Sequence, residues 1–117
     1  MSKAAIDGQI DYVEFSASNL PATKEFFSRV FGWTFEDYGP DYTSFHDGRL
    51  SGGFARKAAT HTDGPLVVIY AAVLEEMLRK VREAGGSIVK DIFSFPGGRR
   101  FHFTDPSGNE LAVWSDQ

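Results

Sequence analysis

The stretch whose reading decides the fold is RRFHFTDPSGNELAVW, Arg99 to Trp114. In its first half Phe101 and Phe103 alternate with Arg100, His102 and Thr104, the period-two pattern of a strand with one apolar and one polar face. Asp105-Pro106-Ser107-Gly108-Asn109 then breaks the strand with turn chemistry, and Asp105 is expected to accept hydrogen bonds from the backbone of that turn. The second half alternates again, with Leu111 and Val113 against Glu110, Ala112 and Trp114. A lone carboxylate in so apolar a strand is either a solvated surface group or part of a site. Strand alternation alone leaves both open, because an antiparallel sheet commonly keeps one wet face.

Upstream of this pair, PLVVIYAAV reads as a strand, LEEMLRKVREAGG as a helix with Leu74, Met77, Leu78 and Val81 on one face, and SIVKDIF as another strand. The same order stands in the first half. IDYVEFSAS gives a strand from about residue 10. NLPATKEFFSRVFGW gives a helix with Asn19 as cap, Pro21 in the first turn, Phe26/Val30 and Phe27/Phe31 at i,i+4, and Gly32 as its end. WTFEDY, DYTSFHD and LSGGFAR are three short strands set apart by Gly-Pro and Asp-Gly turns. Leu20 and Leu74 open the two helices 54 residues apart, and Gly32 and Gly86 close them at the same spacing. The chain therefore reads as one α+β domain of two βαβββ modules, about 10–56 and 65–115, with helices over 21–31 and 74–84. The polar run KAATHTDG, 57–64, forms the linker.

Composition bounds the function. A chain of 117 residues with 42% hydrophobic content builds a modest core, and its 11 Phe, within an aromatic share of 15%, point to a ring-rich core and an aromatic pocket. The net charge of −4, with both signs interspersed, carries no footprint for nucleic acid or an anionic membrane. The absence of Cys removes disulfides, thiolate catalysis and cysteine zinc sites. MSKAAIDGQ lacks the apolar run of a secretory leader and no segment reaches the length of a membrane span, so a cytoplasmic protein is expected. GRLSGG lacks the strand-then-helix setting of a phosphate loop, and no Ser-His-Asp order suggests a hydrolase.

YVEFSASNLPATKEFFSRVFGW, the repeated βαβββ order and FHFTDPSGNELAVW together resemble the vicinal oxygen chelate superfamily of glyoxalases, bleomycin-resistance proteins and extradiol dioxygenases. The resemblance covers about Ile10 to Trp114. It implies curved mixed sheets around a concave cavity between the modules, and a homodimer. It also implies metal ligands on the first and last strands of each module. Carried onto this chain, those four positions fall on Tyr12, Gly52, Leu66 and Glu110, of which Glu110 alone is a good ligand for a divalent ion. One carboxylate does not hold a catalytic metal. No metal or other cofactor is therefore expected, with a divalent metal as the alternative.

If the aliphatic and Phe sets lie beneath the helices, Tyr12, Glu14, Arg100, His102, Glu110 and Trp114 occupy the opposite, concave face as ligand-binding residues. Glu14, His102 and Glu110 are the candidates for acid–base work. His46, beside a turn, and His61, in the linker, read as exposed or capping residues, and Arg99 as solvent-facing. Two functions fit: a metal-free protein that captures a small, partly aromatic molecule, and a metal-dependent lyase or dioxygenase. Which of them holds, and whether the chain is an enzyme at all, is left open by the residues alone.

Overall fold

Asn19 starts the first helix as its side chain suggested: Oδ1 accepts the backbone N–H of Ala22 at 3.0 Å. In the computed structural model, which describes residues 5–56 and 64–117, module one runs β1 (Ile10–Ala17), α1 (Leu20–Phe31), β2 (Thr34–Asp37), β3 (Tyr42–His46) and β4 (Ser51–Arg56). Module two repeats the order as β5 (Leu66–Tyr70), α2 (Leu74–Glu83), β6 (Ser87–Phe95), β7 (Gly98–Thr104) and β8 (Glu110–Ser115). The fold is α+β and each module is βαβββ. Apart from Gly64, the expected linker and its His61 lie outside the described residues.

The chain divides into two compact units. One is Tyr12–Leu66, and the other joins Val67–Gln117 to the N-terminal residues up to Asp11. In the first, β2 pairs antiparallel with β3 and β3 with β4, while β4 runs parallel to β1. The parallel pair is the consequence of the α1 crossover, since a hairpin cannot join parallel strands. α1 ends at Gly32, whose φ of 74° only glycine takes without strain. Its inward stripe is Leu20 and Phe27, and they meet Phe15, Ala17, Phe45 and Phe54 of the sheet. Phe26, Val30 and Phe31 are more than half exposed, at 53%, 54% and 59%. Of the two i,i+4 pairs read from the sequence, only Phe27 enters the core: Phe26 and Val30 lie round the helix from it, and Phe31, on its stripe, is the last residue of α1.

Rings dominate this core. Trp33 stacks between Phe27 and Phe45 with centroids 4.5 Å from each, and Phe15 stacks on Phe54 at 5.4 Å. Phe35 packs against the same cluster. Much of the Phe excess is thus spent on packing. The Gly52-Gly53 pair of β4 is required by closeness: a Cβ at Gly52 would strike the Val13 carbonyl oxygen and the Phe45 ring, and one at Gly53 the hydroxyl of Tyr42.

In module two β5 runs parallel to β8, β8 antiparallel to β7, and β7 antiparallel to β6. α2 buries Leu74 and Leu78 against Ala71, Phe101 and Val113, with Ile69, Met77, Val81, Ile88, Ile92 and Phe103 around them. Leu74, Phe101 and Val113 are at most 1% exposed. The N-terminal residues join this unit through Gly8 N–H on the Tyr70 carbonyl at 2.9 Å and Tyr70 N–H on that of Gln9 at 3.1 Å. β6 shifts register against β7 between Ile88 and Lys90 and again between Lys90 and Phe93. Each shift inserts a residue. As a result Ile88 and Ile92 pack with α2, whereas Lys90 and Phe93 stand opposite His102 and Arg100.

Candidate functional site

The α2-distal face of the module-two sheet carries Arg100 and His102 from β7 and Glu110 and Trp114 from β8, while Phe101, Phe103 and Val113 of the same strands enter the core. Period-two alternation made this assignment, and the packing of Phe101, Phe103 and Val113 in the α2 core agrees with it for these two strands. His102 is the central group. Its side chain is 1% exposed, and Nδ1 lies 2.9 Å from Oε2 of Glu110, itself 32% exposed. The geometry follows from pairing: Thr104 faces Glu110 and His102 faces Ala112, so the two side chains are diagonal neighbours on one face.

Burial, the largest influence, pushes the His102 imidazole below its ordinary value, as do the charges of Arg100 and Lys90, while the hydrogen bond to Glu110 and the Glu110 charge oppose them. At neutral pH the ring is therefore neutral. A carboxylate accepts and cannot donate, so the proton of the neutral ring sits on Nδ1 and points at Glu110. That leaves Nε2 as a bare lone pair, buried and without a hydrogen-bond partner among the described residues.

Around His102 stand cations on rings. Lys90 Nζ is 4.6 Å from the centroid of Phe93, and the Arg100 guanidinium carbon is 5.5 Å from Phe93 and 5.8 Å from Phe95. The Phe93 and His102 rings lie 5.9 Å apart. Lys90 makes no ion pair among the described residues. Trp114 is fastened rather than loose: Nε1 donates to Asp11 Oδ2 at 2.9 Å, and the indole sits 5.5 Å from Tyr70 and 6.4 Å from Phe95. Sequence reasoning missed Lys90, Phe93 and Phe95. Plain alternation through SIVKDIFSF misassigns part of the strand, because the two register shifts break the period.

Tyr12 and Glu14 form a separate cluster on module one, joined by Tyr42, which sequence reasoning also missed. Tyr42 Oη donates to Glu14 Oε2 at 2.9 Å and lies 2.6 Å from Tyr12 Oη. Burial first, and then the Glu14 charge, raise the Tyr42 phenol far above its usual range, so it stays protonated as the donor. The alternation Tyr42/Ser44 against buried Thr43/Phe45 was the signal that could have found it.

The remaining sequence candidates have local roles. Asp105 Oδ1 accepts from the backbone of Ser107 and Asn109, and Oδ2 from the Asn109 amide, each at 2.9 Å. These bonds, Asn109's first, hold its carboxyl below the usual range. His46 Nδ1 accepts the Gly48 N–H at 3.1 Å beside its turn. Arg99 binds the Glu75 carboxylate of α2 at 2.6 Å rather than projecting into water alone.

The ligand positions implied by the family resemblance do not assemble a metal site. Strand pairing also corrects one of them. Val13 pairs with Gly52 and Val67 with Leu111, so Gly52 is the counterpart of Leu111, and Ser51 that of Glu110. The longer second hairpin had hidden this one-residue offset. Tyr12 shares its hydroxyl with Tyr42, Leu66 offers no donor, and Glu110 spends Oε2 on His102. Among the described residues no three of His, Cys, Asp and Glu come together around one point. These residues do not fit a divalent ion.

With this geometry in hand, comparison places the chain. The profile of the Glyoxalase/Bleomycin resistance protein/Dioxygenase superfamily matches residues 9–113, and the chain belongs to that superfamily. Among solved structures it is similar to a Legionella pneumophila protein named NAD-dependent benzaldehyde dehydrogenase (17% identity, 89% of this chain and 96% of that one, TM-score 0.74). It is similar also to a superfamily member from Vibrio splendidus 12B01 (16%, 92% and 97%, 0.73). A third is the Mn(II)-bound glyoxalase of Novosphingobium aromaticivorans (21%, 92% and 38%, 0.68), of which the chain matches well under half. At such identities the likeness is one of fold, and fold does not choose a reaction. No curated protein sequence matches the chain. Among the described residues no helix is long and apolar enough to cross a membrane.

Proposed function

We propose that this chain is a small-molecule-binding protein whose ligand is a small planar organic molecule with an acidic oxygen group, held on the α2-distal face of module two. The observation that carries the reading is His102, fully buried with Nδ1 held by Glu110 and Nε2 left as an unsatisfied acceptor. A buried polar atom without a partner is costly, and a ligand group or a water must supply what the protein does not. Lys90 provides positive charge next to it, and Phe93 and Trp114 provide flat apolar walls. Arg100 and Glu110 complete the proposed contacts. Tyr12 and Glu14 are proposed ligand contacts of module one, tested separately by Tyr12→Phe. The protein is proposed to act in the cytoplasm, as a homodimer and without a resident metal.

The test is a thermal-shift screen of small aromatic carboxylates and phenols, since a ligand that binds only the native state raises its apparent stability. Lys90→Gln is expected to weaken binding of the carboxylate hits roughly tenfold, about 1.4 kcal/mol. Hits that stabilise wild type and Lys90→Gln equally place the ligand elsewhere. The alternative, a divalent-metal lyase or dioxygenase, has Glu110 in its favour as the one residue at an implied ligand position that suits an ion. Elemental analysis of untagged protein purified without chelator separates the two: less than a tenth of an equivalent of zinc, iron, nickel or manganese is expected here, on the order of one for the alternative.

A further inference from the structure

We propose that His102 is a proton acceptor that binds an acidic hydroxyl, a phenol or enol, in its ionised form, and that Glu110 is its positioning residue rather than a metal ligand. This rests on the reading of the α2-distal face as a ligand site. The inference begins from the disagreement between Glu110 and the metal position that it occupies. Its carboxylate oxygen is 2.9 Å from Nδ1 of a ring that is 1% exposed, so it fixes the ring's orientation and tautomer and leaves the buried Nε2 as the basic atom.

The groups facing His102 decide what that atom can do. From β6 comes Lys90, paired opposite it; from β7, Arg100; from β8, Glu110; and β5 adds the apolar Val68, while α2 lies on the other side of the sheet. When a hydroxyl on a planar unsaturated carbon meets Nε2, its O–H bond breaks and the electron pair stays on oxygen. The proton forms Nε2–H. The imidazolium so produced faces the Glu110 carboxylate and the new oxyanion faces the Lys90 ammonium, so each charge created meets an opposite one. A carboxylate ligand already ionised in water gains from Lys90 but has no proton to hand over. The site therefore distinguishes an ionisable hydroxyl from a carboxylate of the same shape. Nε2 is buried, so entry of a ligand requires the side chains around it to move aside.

The experiment uses the full chain with 4-nitrophenol, whose phenolate is coloured, and with benzoate. Bound 4-nitrophenol is expected to titrate about one pH unit below its free value, a tenfold preference for the phenolate. In 15N-histidine-labelled wild type, the Nε2 resonance of His102 is expected to move from that of a bare nitrogen to that of a protonated one on adding 4-nitrophenol, and to remain bare with benzoate. Glu110→Gln is expected to lose most of the titration shift, and Glu110→Asp to recover part of it. His102→Gln is expected to lose all of it; if that variant does not fold, the wild-type nitrogen signal decides alone. Binding of both compounds with an unshifted titration and a bare Nε2 overturns the acceptor role while leaving the ligand site standing. Binding of neither overturns both.

Discussion

His102 shows what a single residue gains from its surroundings. In an unfolded chain it titrates near 6.5, and burial in the native state lowers that value. The native state thus resists protonation that the unfolded state accepts, so stability is full above about pH 6.5 and is lost as pH falls from there through the native value. Denaturant midpoints measured from pH 8 to pH 5 should fall across that window, and His102→Gln should flatten that part of the curve. An unchanged slope in the variant would assign the pH dependence to other groups. Nothing in FHFTD distinguishes this histidine from a wet one. Its position on the polar face was legible from alternation, but its burial and its bond to Glu110 depend on neighbours from β6 and β8.

At the scale of elements, local chemistry was readable wherever a few adjacent residues decide the conformation. Asn19 caps α1, Gly32 ends it, and Asp105 gathers the turn before β8, all as read. Asn19→Ala should lower stability by about 1 kcal/mol, with Asn19→Asp retaining most of it, as chemical denaturation can measure. A cost near zero would mean that the Leu20 and Phe27 packing alone sets the helix start. Elements were misread where partners set the pattern. β6 carries two register shifts that period-two counting cannot contain, which is why Lys90 and Phe93 were missed. In α1, Phe26 looks like a core residue by type yet stays exposed, since a helix packed on a sheet buries only one stripe, and Phe31 stays exposed at the helix end.

For the molecule as a whole, the repeat of βαβββ was legible because each module repeats the same order of periods, caps and turns. The proposed homodimer belongs to this scale. Light scattering at micromolar concentration is expected to give about twice the 13.0 kDa chain mass, and a monomer would remove the dimer from the proposal. The exposed Phe26, Val30 and Phe31 of α1 form an apolar surface that makes the measurement worthwhile.

By itself the sequence determined the fold class, the two modules, their helix limits to within a residue and the alternating faces of β7 and β8. These depend on spacing along the chain, where helix, strand and turn each leave a local period. Only the tertiary structure decided that Glu110 holds His102, that Tyr42 joins Tyr12 to Glu14, and that Ser51 rather than Gly52 is the counterpart of Glu110. The physical reason is that a hydrogen-bonded pair depends on which residues stand opposite across a strand ladder. Register across the ladder is set by hairpin length and by inserted residues, neither of which any single strand records.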